Sequence, residues 1–291
     1  MLFRTRGEKI FDAFNVVLLG LVALLMLFPF LYIFAVSFST MEDFLSTEIL
    51  LWPKHWSFDA YEYILESRAF LVSLGVTAYV TIVGTLVNLF FTATMAYALS
   101  RGIMGQRFFL FMVLFAMLFN AGMIPTYLIV KATGLLNSVW SLILPVAIGP
   151  FNLLVIRNFF LNIPNELNEA AKIDGANDLR IFWQIILPLS KPALAAFALF
   201  YAVGHWNSYF NAILYLNDPA KWTIQVILRQ IVVVAEPTAA LGTNDMLLDN
   251  PPPPVTIQMA AILLATIPIL VVYPFLQKHF AKGVMIGSIK G

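Results

Sequence analysis

The chain has 291 residues, 60% of them hydrophobic and only 11% charged, against about a quarter charged in an ordinary soluble domain. That much apolar surface does not fit inside one water-soluble core, so lipid is the expected solvent. A net charge of +1 offers no nucleic-acid surface, and the absence of cysteine removes disulfide and thiolate chemistry.

Six uncharged runs are each long enough to cross a bilayer, which takes about 20 helical residues. They run Ala13 to Phe38, Phe70 to Ser100, Phe108 to Val130, Ala132 to Ile156, Pro192 to Asn217 and Val255 to Gln277. The expected fold is therefore all-α: a polytopic membrane protein with six transmembrane helices over 13–277, a short N-terminal segment (1–12) and a basic tail (278–291). The first run is too long for the apolar region of a cleavable signal peptide, and none is expected. The third and fourth runs are separated by a tight link, Lys131 to Asn137, that fits a helical hairpin. Prolines and glycines at Pro29, Pro125, Pro145, Gly149-Pro150, Gly204, Pro268 and Pro274 are expected to kink several spans.

Lys and Arg set the orientation. With the N-terminus in the cytoplasm, twelve of the 17 fall inside (Arg4, Arg6, Lys9, Arg101, Arg107, Arg157, Lys172, Arg180, Lys191, Lys278, Lys282, Lys290). The other five fall outside: Lys54, Arg68, Lys131, Lys221 and Arg229. Both termini and the loop 158–191 are then cytoplasmic. The segment Arg4 to Phe14 mixes charge with Ile10, Phe11 and Phe14 and suits the membrane interface. The loop Ser39 to Ala69 is acidic and carries Trp52, Trp56, Tyr61 and Tyr63, rings that suit the lipid headgroup zone more readily than a sugar site.

The second span carries Thr77, Thr81, Thr85, Asn88 and Thr92 at spacings of three and four, which puts them on one helix face. They fit either helix-to-helix adhesion or a hydrophilic path. In the fifth span Gly204, Asn207, Ser208, Asn211 and Tyr215 fall on one face. Amides and hydroxyls beside aromatic rings match the hydroxyls and C–H face of a neutral sugar, and equally match interhelical hydrogen bonding. Asn207, Ser208, Asn211, Tyr215 and Asn88 are the candidate substrate path. His205 is read as a packing residue. The outer loop 218–254 is long. Its Trp222 to Ala235 stretch is apolar enough for a short amphipathic helix, followed by exposed turns and a stiff Pro251-Pro252-Pro253-Pro254 lead-in.

Chemistry of its own is missing. There is no Walker A loop, no HExxH, no Cys/His cluster and no nucleophile elbow. Nor does any span hold the buried carboxylates by which secondary transporters couple to ions. Energy has to arrive through a contact, and one polar island between spans four and five is shaped for it. Pro164 suits the first position of a helix, and Gly175 suits a left-handed stop. Asn177 and Asp178 can cap a second helix, Leu179 to Ile186, ended by Pro188. Glu166, Glu169, Ala170 and Ile173 share one side of the first helix; Leu167, Ala171 and Asp174 share the next.

Glu169-Ala170-Ala171, three residues, Gly175, nine residues, then Ile185-Ile186-Leu187-Pro188 resembles the EAA loop of ABC-importer permeases. Further pieces resemble the carbohydrate-uptake branch, in particular its MalG-type, LplC-like subunits. These are Pro29-Phe30-Leu31-Tyr32, Gly122-Met123-Ile124-Pro125-Thr126-Tyr127, Phe159-Phe160 through Pro164, Pro188-Leu189-Ser190-Lys191-Pro192, His205-Trp206-Asn207 and the tail from Lys282-Gly283 to Lys290-Gly291. The resemblance covers nearly the whole chain. It implies a non-catalytic permease in a bacterial cytoplasmic membrane, importing oligosaccharides by alternating access. It implies a second, homologous permease, an external sugar-binding protein and two ATPase subunits that hold the ATP and Mg; no cofactor is expected in this chain. It also implies that Glu166, Glu169, Ala170, Ala171, Ile173, Asp174 and Gly175 couple to the ATPase. An ABC permease for another solute and an ATP-independent facilitator are the alternatives. Uncharged spans lean against a strongly anionic substrate unless a partner supplies cations.

Overall fold

In lipid a backbone must satisfy its own hydrogen bonds, and the apolar runs do so as helices. The computed structural model describes residues 6–46, 50–234, 237–242 and 252–288. Among them there is a single isolated bridge, Ser39 with Trp56, and no strand. The chain falls into two compact units. One comprises Met1–Phe70 and Leu228–Ile267, the other Leu71–Ile227 and Pro268–Gly291.

In the first unit, α1 (Arg6–Ser37) runs uninterrupted through Pro29 and takes in residues 6–12 of the expected N-terminal segment. Short helices α2 (Met41–Ser46) and α3 (Asp59–Glu66) follow. Ala35, Val36 and Leu50 are buried here, packed by Tyr32, Phe44, Val255 and Met259. The rings of the expected headgroup belt pack on one another: Phe38 stacks on Tyr61 at 4.6 Å, and Trp56 sits 5.5 Å from Phe38 and 5.7 Å from Trp52.

This loop is also latched by charge. The buried Asp43 carboxylate accepts from the backbone N–H of His55 at 2.7 Å and from its ring Nδ1 at 2.9 Å. The side-chain bond from His55 holds the Asp43 carboxyl below the usual aspartate range, outweighing the opposing effect of burial. A carboxylate whose native pKa is depressed stabilises the fold above its unfolded value. That contribution is lost as pH falls from about 4, where a free aspartate titrates, through the lower native value. The protection factor of the His55 amide, its exchange rate corrected for the intrinsic rate at each pH, is therefore expected to fall on acidification in the wild type. Asp43→Asn should show low protection already at neutral pH and lose the acid response. An unchanged pH profile in the variant would show that the latch does not hold the loop.

The helix α4 (Arg68–Ser100) begins in the first unit and continues into the second. There the expected third span is broken. Residues Gln106–Leu118 form α5 and Met123–Ala132 form α6, separated where Gly122 takes φ +86° and its N–H is held by Asn120 Oδ1 at 2.9 Å. Each piece is too short to cross a bilayer alone. The link after α6 does form a tight turn: Gly134 is left-handed, and Leu135 N bonds back to Val130 O at 3.1 Å.

The expected fourth span is not one helix either. Val139–Leu142 and Leu144–Val146 are 3-10 turns, because Pro145 has no N–H to continue a helix. Pro150 then opens α7 (Pro150–Leu161), 50° off the preceding turns. Next come α8 (Asn165–Ile173), α9 (Asp178–Ile181), a π-helical stretch Phe182–Ile186, and α10 (Leu187–Leu189). After Ser190 the axis turns by 80° into α11 (Lys191–Trp206). So Pro188 does not end the second helix, and the turn comes at Ser190. The expected fifth span stops at Trp206, and α12 (Phe210–Tyr215) restarts it.

The amphipathic helix expected at 222–235 is α13 (Ile224–Val232); Ala235 lies outside the described residues, as do 236 and 243–250 of the expected exposed turns. The rest of that stretch contains α14 (Pro237–Leu241), whose Leu241 is buried and accepts from Ser67 Oγ at 2.6 Å. Of the four prolines, Pro251 is outside the description and Pro254 already begins α15 (Pro254–Ser288). That helix continues through Pro268 and Pro274 and into the expected tail, of which 289–291 are not described. Among the described residues three helices are long and apolar enough to cross a membrane, or up to five spans if each bent pair counts as one, against the six expected.

Candidate coupling knob and substrate cleft

The polar island folds as helix, turn, helix. Pro164 is not inside α8 but one place before it, as the extended N-cap. Gly175 adopts φ +78°, its N–H bonding to Lys172 O at 3.0 Å and that of Ala176 to Ala171 O at 2.9 Å. This is the pairing by which a left-handed glycine closes a helix. Asn177 Oδ1 then accepts Arg180 N at 2.8 Å and opens α9. The result is a knob with apolar tips in the open: Ile173 is 86% exposed and Leu179 70%, with Leu167 and Trp183 also exposed. Glu166, Glu169, Ala170 and Asp174 are exposed beside them. In water, leaving Ile173 and Leu179 uncovered would cost roughly 1.5 kcal/mol or more per side chain.

The underside is packed. Ala171 is buried with Ile181, Phe182 and Ile186 against Tyr97 and Phe160. Asn168, not singled out from the sequence, is 6% exposed, and its Oδ1 accepts from Arg101 Nη2 at 2.6 Å. The Arg101 guanidinium lies 4.6 Å over the Tyr97 ring, and Tyr97 OH donates to Asp178 O at 3.1 Å. The carbonyl of Leu99 accepts from Arg157 Nε at 2.8 Å and from Gln106 Nε2 at 2.5 Å. The end of α4 thus gathers α5, α7, α8 and α9. The pattern of the sequence held one signal for Asn168: it stands three residues before Ala171, on the inward side of α8.

A second feature is a cleft of about 410 Å³ in the same unit, lined among others by Asn88, Tyr201, His205, Ser208, Asn211 and Phe200. Asn88 donates through Nδ2 to Val146 O, which leaves its Oδ1 to accept from His205 Nε2 at 2.6 Å. One turn further, Thr92 Oγ1 and Tyr201 OH are 2.8 Å apart, and Tyr201 OH also accepts Gly149 N at 3.3 Å. Helices α4 and α11 and the break at 146–149 are therefore tied at two levels. None of the residues lining this cleft is Asp, Glu, Lys or Arg.

The chain matches the family described as "Binding-protein-dependent transport system inner membrane component" over residues 100–286. It is 52% identical over 288 residues to the Bacillus subtilis protein LplC, covering 99% of this chain and 97% of LplC. This chain belongs to that family. It is equally 52% identical, over 98% of its length and 99% of the relative's, to the polygalacturonan/rhamnogalacturonan transport system permease protein YtcP of Bacillus subtilis. Among solved structures, a chain of a bacterial ABC transporter that imports the acidic polysaccharide alginate superposes with a TM-score of 0.90. The two are 38% identical, over 96% of this chain and 100% of that one.

Of the substrate-path residues expected in this permease, Asn88, Ser208 and Asn211 meet at the cleft. Asn207 does not: the helix ends there, its Nδ2 donates to Val203 O at 3.0 Å, and its Oδ1 meets Gln225 Nε2 at 3.4 Å. Tyr215 is buried, stacked 6.3 Å from Tyr127. The break at 207–209 puts these side chains out of the single face that an unbroken helix would give. On the second span, Thr77 accepts Ile224 N at 2.7 Å, so Thr77, Asn88 and Thr92 all bind other elements. His205 is 5% exposed and bonded to Asn88, as expected of a packing residue. Sequence reading missed Tyr201 and Phe200 because nothing in an apolar run distinguishes the rings that reach a cleft.

Proposed function

We propose that this chain is one transmembrane subunit of an ATP-driven importer of oligosaccharides in a bacterial cytoplasmic membrane. The exposed apolar knob at Ile173 and Leu179, closed by Gly175 and packed firmly from beneath, carries the reading. It sits in the cytoplasm, as do both termini, by the excess of Lys and Arg on that side, and the broken helices complete six crossings. Glu166, Glu169, Ala170, Ile173, Asp174 and Gly175 meet a separate ATPase that holds ATP and Mg, with Ala171 supporting them from below. A second permease and an external binding protein complete the machine.

The relative named for polygalacturonan and rhamnogalacturonan and the solved neighbour for alginate point to carboxylate-bearing sugars. The neutral amides, hydroxyls and Phe200 ring of this cleft then address hydroxyls and the C–H face, and cations for the carboxylates come from the partner permease. Reconstitution with second permease, ATPases and binding protein should give uptake of uronic oligosaccharides only with ATP. Uptake by this chain alone, without ATP, would defeat the reading. Within that assay Asn211→Ala and Ser208→Ala should each slow uptake about three- to tenfold, the worth of one hydrogen bond. Asn207→Ala, whose amide bonds its own helix, should stay close to wild type. Equal losses at all three positions would place the path elsewhere.

A further inference from the structure

A knob that docks a motor is useful only if its displacement reaches the cleft. The covalent route from knob to α11 is compliant: it passes through the π-helical stretch Phe182–Ile186 and then an 80° turn at Ser190. A helix with mismatched hydrogen bonding and a sharp bend transmits a push poorly. The other route is stiff. Helix α4 is unbroken from Arg68 to Ser100 and carries Asn88 and Thr92, which hold the cleft residues His205 and Tyr201. From Asn88 to Tyr97 is nine residues, about 14 Å of rod at 1.5 Å per residue.

Resting on the importer reading above, we propose that Arg101, through Asn168 and Tyr97, is the positioning residue that clamps the knob to α4. It thereby delivers the motor's stroke to the cleft. One guanidinium makes two contacts of different kind. Its Nη2 donates to Asn168 on α8 at 2.6 Å, and its plane covers the Tyr97 ring at 4.6 Å, while that same tyrosine donates to Asp178 O at 3.1 Å. Both helices of the knob are thus gripped at one point. Asn168 and Tyr97 face inward, away from the exposed tips, so the clamp is separate from the surface that meets the ATPase. A flat guanidinium suits this double duty, because it stacks and donates in a fixed direction at once. Lysine, a point charge on a flexible stem, keeps the charge and loses both features.

The full complex distinguishes transmission from mere structure. Arg101→Lys and Asn168→Ala should each assemble with the ATPases in wild-type yield and keep their basal hydrolysis. Uptake, and the stimulation of hydrolysis by sugar-loaded binding protein, should both fall about tenfold, within the usual range of a coupling between sites. The double variant should be no worse than either single, as for two ends of one contact. Asn168→Asp, which still presents an oxygen to Arg101, should recover uptake. If the single variants keep uptake and stimulation near wild type, if their losses add in the double variant, if Asn168→Asp fares no better than Asn168→Ala, or if the ATPases no longer assemble, Arg101 is not the clamp. A wild-type complex that shows no ATP-driven uptake would instead defeat the importer reading itself.

Discussion

Gly175→Val is expected to abolish ATP-driven uptake while leaving the chain in the membrane. Gly175 holds φ +78°, a region that non-glycine residues enter at about 1–2 kcal/mol and β-branched residues at more. Nothing lies within 4 Å of where a Cβ would stand, so the whole penalty is torsional and neighbours cannot relieve it by moving. The backbone can relieve it only by leaving the left-handed region, and that breaks the bonds from Gly175 N and Ala176 N back into α8. The angle between α8 and α9 then changes, and with it the spacing of Ile173 and Leu179 on the proposed docking face. The effect should be graded: Gly175→Asn nearly normal, since asparagine visits this region, Gly175→Ala intermediate, Gly175→Val inactive. The readout is uptake per assembled complex. A valine variant with wild-type uptake would mean that the knob's shape does not matter to coupling.

The knob was legible because its signals are local. A proline, a glycine and an Asn-Asp pair set its ends within fifteen residues, and the two caps at Gly175 and Asn177 fold as read. The inward side was not legible, because Asn168 meets a residue 67 positions earlier and Asn88 meets one 117 positions later. No pattern within a window finds such partners. The spans show the same division. Runs at the two ends of the chain and the one carrying the threonines are single long helices, α1, α15 and α4. The other runs are equally apolar yet broken, since hydropathy is blind to backbone direction. The breaks fall at Asn120–Gly122, at Pro145 and Gly149, and at Asn207, where a side-chain amide, a missing N–H or a glycine redirects the chain. In the opposite sense, Pro29, Pro268 and Pro274 look like breakers and are carried inside helices. In a membrane helix the carbonyl that a proline frees can be satisfied by neighbouring helices, Ser/Thr side chains or water, so a proline that would end a helix in water is tolerated.

Gly84→Ala should cripple the permease from behind His205, a residue of the cleft wall. By helix propensity alone the change would help, at roughly 0.5–1 kcal/mol for glycine to alanine in a helix interior. Here a Cβ would stand 2.5 Å from Nε2 of His205, 2.7 Å from Cε1 and 2.8 Å from Cδ2. The ring is 5% exposed and tied by Nε2 to Asn88, so it can retreat only towards the cleft and only by giving up that bond. Overpacking of this kind costs about 1–3 kcal/mol. If the ring swings away, Asn88 Oδ1 is left buried without its donor, at about another 1–3 kcal/mol. The clash therefore outweighs the propensity gain, and the purified complex should melt at lower temperature and transport poorly. The decisive variant is the pair Gly84→Ala with His205→Ala. Removing the ring makes room for the new methyl, so the pair should be more stable than Gly84→Ala alone even though it keeps no bond to Asn88. Should Gly84→Ala instead raise the melting temperature, the close approach of α4 to His205 would be wrong. The two-level tie between α4 and α11 would then lose its upper rung, because the Asn88 contact depends on the ring lying against that glycine.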